Sequence, residues 1–319
     1  NEEDPENPNE QEDPTPATPD PDDPEKPGLI DTVIVTVEEK YIKVEANKIW
    51  IDDNNEYGTR PKKIEYTLYQ NGEVYKKEDE KAYVIISTSE EEWKAVFTQL
   101  KETNPEGELY TYTVKETEIK NYTTTYSEDE LTVTNKYTNP DVTTEKEVKV
   151  VLQTENGEIT EQDLQENSIV EPGTRLRYIV KVINETDTDG YVNIEDVIPE
   201  GTTLYNDNGI DIISDNGSVT NGKITWKKIK VPAATEDAAG IATVTFDVTV
   251  NKNQKATVVN VAKVIIPQIP TDPENPEETR PEDKEIETNE VRTPVFIASK
   301  TATLDGQKIH EGGEVEYVV

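Results

Sequence analysis

Residues 131–137 read Leu-Thr-Val-Thr-Asn-Lys-Tyr, an alternating run of the kind that forms a strand with one buried face. Successive strand side chains point to opposite faces, so Leu131, Val133, Asn135 and Tyr137 share one side and Thr132, Thr134 and Lys136 the other. The apolar side therefore carries an amide. The same arrangement recurs in 256–264, ATVVNVAKV, where Ala256, Val258, Asn260, Ala262 and Val264 line one face and the asparagine is again the polar member. Two strands with one buried amide each place the chain among β proteins and point to chemistry inside the core.

Extending outward, two long stretches, 30–140 and 141–267, are rich in Val, Ile, Thr and Tyr in period-two runs, broken by Asn-Gly, Asp-Asn-Gly and Pro-Glu-Gly turns. Helical periodicity is nearly absent. The expected fold is all-β: repeated, tandem β-sandwich-like domains joined by Pro/Asp/Glu-rich linkers. Residues 1–29 hold eight of the chain's 20 prolines, eleven acids and one lysine, which reads as a disordered, extended spacer. Residues 268–291 repeat that chemistry and read as a second linker. From 292 to 319 the chain resembles the opening of the second stretch, EGGEVEYVV against EPGTRLRYIV, and reads as the truncated start of a further repeat. The sequence stops inside an alternating pattern and does not begin with methionine, so a piece of a longer protein is expected.

Composition narrows the function. Over 319 residues, 32 lysines and arginines face 68 acids, a formal net charge of −36 that argues against a phosphate-backbone partner. The sequence has no cysteine and no methionine, so disulfides, cysteine nucleophiles and thiolate metal sites are excluded within it. No apolar run approaches a membrane span. The single histidine, His310, disfavours triad catalysis, and there is no Gly-x-Ser-x-Gly or phosphate loop. Glu185, Asp187, Asp189, Gly190 and Asp196 fall near calcium-loop spacing, but the first position is Glu and no helix flanks them, so a solvated connection is expected there. The Asp-Asn-rich turn after Trp50 reads likewise as an acidic loop. No metal or cofactor is expected.

Two more polar residues fall on apolar faces. Lys48 lies with Ile42, Val44, Ala46 and Trp50, and Glu116 follows Tyr112 and Val114 on its own inward row. One domain thus offers an inward Lys, Glu and Asn. Burial disfavours charge, so a desolvated lysine becomes a nucleophilic amine and a desolvated carboxyl keeps a proton to donate. Next to an asparagine amide, such a pair can replace ammonia by the lysine nitrogen and leave an isopeptide cross-link, with the acid as proton shuttle.

These residues resemble a known family. The stretches 47–75, NKIWIDDNNEYGTRPKKIEYTLYQNGEVY, and 110–137, YTYTVKETEIKNYTTTYSEDELTVTNKY, are similar to the B-type repeat of Gram-positive collagen adhesins (Cna B-type), over about residues 40–138. The resemblance implies an inverse immunoglobulin-like sandwich serving as a stalk, with a Lys48–Asn135 isopeptide bond assisted by Glu116. The second stretch resembles the fimbrial isopeptide-forming domain and related bacterial surface repeats. It carries a first-strand lysine at 149, GTRLRYIVKVIN at 173–184, EDVIPEG with Asp196, and VNVAKV with Asn260. The implied bond joins Lys149 to Asn260 through Asp196, which alternation places with Val192, Ile194 and Ile198.

The lysine of that pair has two candidates. Strict alternation puts Lys149 opposite the face of Val148, Val150 and Leu152, and Lys146 on that more apolar face. Spacing to the Asn-Gly turn favours Lys149, which requires a bulge or a strand apolar on both sides. Lys149 is taken first and Lys146 held in reserve. In the third unit the matching lysine is Lys300.

The function these features imply is structural: a stalk of a Gram-positive cell-surface adhesin or fimbrial protein, extracellular and wall-anchored, with no enzymatic activity beyond its own cross-linking. The implied partner is host extracellular matrix or another cell, met by a region outside this sequence; nothing points to an oligomer. Two alternatives stay open, a module that itself binds host matrix or glycan, and accessory domains of a secreted enzyme.

Overall fold

The structure, a computed structural model, describes residues 19–20, 23–27, 39–77, 80–164, 168–272 and 276–296. Among its described residues the regular structure is almost wholly strand, with a single 3-10 turn at Ser89–Glu91 and one helical turn at Pro276–Thr279. Lys300 and His310 lie outside the described residues, as does most of the 292–319 segment.

The first sandwich is built from β1 (Tyr41–Ile51), β2 (Lys63–Gln70), β3 (Val84–Thr88), β4 (Ala95–Lys101), β5 (Tyr112–Glu116), β6 (Tyr122–Tyr126) and β7 (Thr132–Tyr137). One sheet runs β4-β1-β7-β6, and in the other β2 pairs with both β3 and β5. The first and last strands, β1 and β7, are parallel neighbours, whereas their other partners are antiparallel. Alternation holds as the sequence implies: Val133, Asn135 and Tyr137 are buried and Thr132, Thr134 and Lys136 are not. The core between the sheets is aromatic, with Trp50 edge-on to Trp93 and to Tyr122 at ring-centroid distances of 5.5 and 5.0 Å. Asn71 and Gly72, both at positive φ, make the two-residue hairpin turn after β2 that an Asn-Gly pair favours.

The second sandwich comprises β8 (Val142–Gln153), β9 (Ile159–Asp163), β10 (Arg175–Asn184), β11 (Gly190–Val197), β12 (Lys223–Val231), β13 (Gly240–Val250), β14 (Val258–Asn260), β15 (Ala262–Ile266), β16 (Lys284–Glu287) and β17 (Val291–Thr293). One sheet runs β9-β8-β10-β13 and is completed by Thr202–Leu204; the other, opening with Ser218–Thr220, runs on through β12-β11-β15-β16. A third, two-stranded ladder joins β14 to β17. Trp226, Phe246 and Tyr178 are fully buried between the layers.

Two expectations about the spacers are corrected here. Residues 268–291 are not a linker throughout: β16 extends the sheet beside β15, and the chain then returns through β17 to pair with β14. The physical reason is that β16 is an edge strand whose residues face mainly solvent, so a charged Lys-Glu-Ile-Glu sequence suits it as well as it would suit a spacer. Val291–Phe296 likewise belong to this sandwich, Val295 bridging to Val170, and do not open a new unit. Within residues 1–29, Pro19–Asp20 pairs antiparallel with Asp23–Pro27, so that stretch is not extended throughout.

The two sandwiches are in contact. The Tyr57 ring stacks on Tyr191 at 4.7 Å and packs against Tyr137 at 5.2 Å. Asn139 accepts from the Tyr191 N–H and donates to the Pro267 carbonyl. Ile269, in the connection between β15 and β16, is buried in the core of the first sandwich, and Arg280 of the same connection reaches Asp53 at 2.6 Å.

Candidate functional site: two buried amine, carboxyl and amide trios

Lys48 and Asn135 enter the first core from adjacent parallel strands of one sheet, and Glu116 enters from the facing sheet at the end of β5. The side chains of Lys48 and Glu116 are 0% and 1% exposed, and Asn135 is fully buried. Lys48 Nζ donates to Glu116 Oε1 at 2.5 Å, and Asn135 Nδ2 donates to Glu116 Oε2 at 2.7 Å. One carboxyl group therefore spans the amine and the amide. The lysine nitrogen also lies 4.6 Å from the centre of the Trp50 ring. Burial lowers the Lys48 pKa to about 8 against the opposing pull of Glu116. Asn135 Oδ1 has no hydrogen-bond partner, leaving the amide carbonyl free to take up charge.

The second core holds a matching trio, but with Lys146. Register along β8 and β10 runs without interruption from Val142 to Val151, so no bulge rotates the strand and alternation sends Lys146 inward. Its side chain and that of Asp196, on the facing sheet, are both 0% exposed, and Lys146 Nζ donates to Asp196 Oδ2. Lys149 points the other way, is 27% exposed and pairs with Asp163 on β9 at 3.2 Å. The lysine that meets Asp196 is therefore Lys146 and not the expected Lys149, because the register carries no bulge and the Lys149 side of the strand faces Asp163. Burial raises the Asp196 pKa to about 6, against the stabilising pull of Lys146 and, more weakly, the Asn260 amide; burial also lowers the Lys146 pKa. Both shifts favour a neutral pair. Asn260 is buried beside them at the end of β14, though neither its Nδ2 nor Asp196 Oδ1 has a partner in hydrogen-bonding geometry. The Tyr178 and Phe246 rings lie 5.3 and 5.6 Å from Lys146 Nζ and keep the site dry.

Each trio sets an amine, a carboxyl group and a primary amide in a water-poor core. That set can transfer the amide acyl group from nitrogen to nitrogen, with the carboxyl moving the proton.

The acidic stretches read earlier as loops are otherwise engaged. Asp52 is buried, receives Arg60 through both carboxylate oxygens at 2.6 Å and accepts from Tyr122 OH at 3.0 Å. Arg60 holds the Asp52 carboxyl below its usual range against the cost of burial. Asp189 pairs with Lys230 and Asp196 lies inside the core, so the carboxylates of 185–196 do not converge. Among the described residues no cluster of three His, Cys, Asp or Glu side chains could hold a metal ion. Sequence reasoning missed Asp247, a fully buried carboxylate gripped by Arg175 and Arg177. The signal was the Arg-x-Arg spacing on β10, which faces Asp247 on β13. It also missed Asn289, for which no local signal exists.

Comparison with known proteins finds similarity over the first sandwich. Residues 44–136 match the model of the Cna protein B-type domain. A 109-residue stretch, 33% of this chain, is 38% identical to the collagen adhesin of Staphylococcus aureus, and spans 8% of that protein's length. Among solved structures, a single B repeat unit of the collagen-binding surface protein of Staphylococcus aureus matches at 20% identity and TM-score 0.28, over 64% of this chain and 84% of that one. The major pilin subunit of Bacillus cereus matches at 14% identity and TM-score 0.30, over 87% and 81%. The major pilin of Corynebacterium diphtheriae matches at 14% and 0.27, over 80% and 67%.

Proposed function

We propose that this chain is a stalk section of a Gram-positive surface adhesin or pilus protein, displayed outside the cell wall and stiffened by two self-formed isopeptide bonds, Lys48–Asn135 and Lys146–Asn260. In this reading the second sandwich is a fimbrial isopeptide-forming type of domain. The observation that carries it is Glu116, which holds the Lys48 amine on one oxygen and the Asn135 amide nitrogen on the other. The neutral amine adds to the Asn135 side-chain carbonyl carbon. Glu116 takes the proton from that nitrogen and delivers it to the amide nitrogen, which leaves as ammonia. One C–N bond forms and one breaks, so the product weighs one ammonia less than the sequence for each bond made. Asp196 does the same for Lys146 and Asn260.

The gain is mechanical and thermodynamic. A cross-link from the first strand to the last closes most of the domain into a covalent loop, which in the chain-entropy model stabilises by about 4 to 5 kcal/mol. Tension applied to the ends then meets a covalent clamp instead of a hydrogen-bonded strand pair. The relative called a collagen adhesin supports a wider protein that meets host matrix, the binding region lying outside these two sandwiches.

The test is the intact mass of the recombinant chain beside Glu116→Ala and Asn260→Ala. The expected result is a deficit of two ammonia molecules in the parent and one in each variant. A parent mass equal to that of its sequence would sink the proposal. Labelled collagen that binds either sandwich alone would favour a ligand-binding module instead.

A further inference from the structure

The two trios differ in how their strands meet. In the first sandwich the asparagine's strand lies directly beside the lysine's strand, in parallel register. In the second, β14 and β8 share no ladder: among the described residues β14 pairs with β17, and β8 with β9 and β10. No ladder of their own sets Lys146 against Asn260; the nearest is indirect, Ala262 being the register partner of Asp196.

The edge of β8 at Lys146 is bare, because β9 covers only Lys149–Gln153. An edge strand leaves backbone donors and acceptors without strand partners. Here the Asn289 side chain supplies both partners. The Lys146 N–H donates to Asn289 Oδ1 at 2.7 Å, and Asn289 Nδ2 donates to the Lys146 carbonyl at 2.9 Å. A carboxamide offers one acceptor and one donor, as a peptide unit does, so Asn289 serves as a one-residue strand beside the nucleophile. The adjoining residues hold the electrophile. Val291 is the ladder partner of Asn260. Thr288 grips the neighbouring Ala262 twice, its N–H donating to the Ala262 carbonyl at 2.9 Å and its Oγ1 accepting from the Ala262 N–H at 3.0 Å.

We propose that residues 288–291 are a positioning strap for the second cross-link, with Asn289 its central positioning residue, and that Lys146 and Asn260 join only after the strap has docked. This rests on the reading that Lys146 and Asn260 react. It makes the second bond a late event, dependent on the strap beyond the electrophile, whereas the first joins two strands that pair directly.

The full chain carries its own clock for the test. It is made by cell-free synthesis, samples are quenched in denaturant over time, and the two cross-linked peptides are quantified after digestion. Asn289→Ala is expected to slow Lys146–Asn260 formation relative to Lys48–Asn135 about tenfold, the effect of losing two hydrogen bonds of modest net worth from the reactive arrangement. Asn289→Gln keeps the carboxamide and is expected to recover part of the rate, which a side chain that only filled space would not predict. An unchanged ratio of the two rates in Asn289→Ala overturns the strap. If near-ultraviolet circular dichroism shows that Asn289→Ala disturbs the fold, the ratio in a folded Asn289→Gln decides: slower than the parent supports the strap, equal overturns it. A parent with the first bond but no Lys146–Asn260 bond removes the premise and the strap together, and is recognised in the parent sample alone.

Discussion

Lys48 and Asn135 sit on neighbouring parallel strands without being opposite each other: Lys48 is in register with Val133, and Asn135 with Trp50. The offset of two residues matches the length of a lysine side chain, which reaches diagonally along the inner face to meet the amide at Glu116. Directly opposed residues would leave the long amine overshooting the short amide. The pairing register is thus part of the chemistry, and several consequences can be measured.

The choice between lysines in the second sandwich is the sharpest. Lys146→Ala should leave Asn260 unreacted, so that only one ammonia molecule is lost. Lys149→Ala should retain both losses and change stability little, since its ion pair with Asp163 is solvent-exposed and worth about 1 kcal/mol or less. Mass spectra of the two variants check this, and a lost cross-link in Lys149→Ala would refute it.

Bond formation in the first sandwich should depend on pH through Lys48. Only the neutral amine attacks, and its pKa is lowered to about 8 by burial. Cross-linking rates should therefore rise as pH increases toward 8 and level off above it. Linkage gives the same sign for the unreacted precursor. Between about 8 and the ordinary lysine value of 10.5, the unfolded chain binds a proton that the folded Lys48 does not, so the Lys48 contribution to stability grows with pH across that window and is lost as pH falls through 8. Unfolding of Asn135→Ala in urea at several pH values measures it; a contribution that shrank over the window would contradict the assignment.

Arg60→Ala should be costly although Arg60 itself is partly exposed. It strips Asp52 of a bidentate partner and leaves a buried carboxylate held only by Tyr122 and the turn backbone. Breaking such a pair from one side typically costs about 3 to 5 kcal/mol. The Asp52 pKa is lowered in the fold, so its contribution is present above the unfolded carboxylate range and fades as pH falls below it. Denaturant midpoints of a cross-link-free background, with and without Arg60→Ala, should differ at neutral pH and converge in acid.

Tyr57→Ala should loosen the joint between the sandwiches without unfolding either. The ring packs against Tyr137 of its own sandwich and Tyr191 of the other, and aromatic pairs contribute about 0.5 to 1.5 kcal/mol each. Small-angle scattering should show a broader range of interdomain distances, while both cross-links still form. Scattering indistinguishable from the parent would mean that Ile269 and the Arg280–Asp53 pair hold the joint unaided.

The first trio was legible because every member sits in an unbroken alternating strand, where a local pattern reports the face. Asp196 was legible for the same reason. Lys149 was misread because turn spacing was allowed to outweigh alternation, and the uninterrupted β8–β10 register shows alternation to be the stronger constraint. The acidic residues 284–287 resembled a spacer because an exposed edge strand and a spacer face the same solvent.

What the sequence determined alone, then, is what strand periodicity encodes: the all-β class, the inward direction of Lys48, Glu116, Asn135, Asp196 and Asn260, and the Asn-Gly turns between strands. Tertiary structure decided which of two lysines meets Asp196, that the chain past Asn260 folds back to complete the sandwich, and that Asn289 grips Lys146. Periodicity reports only which way a side chain points from its own strand. Which edge a distant segment covers depends on backbone groups that every residue shares, and so leaves no mark in the local sequence.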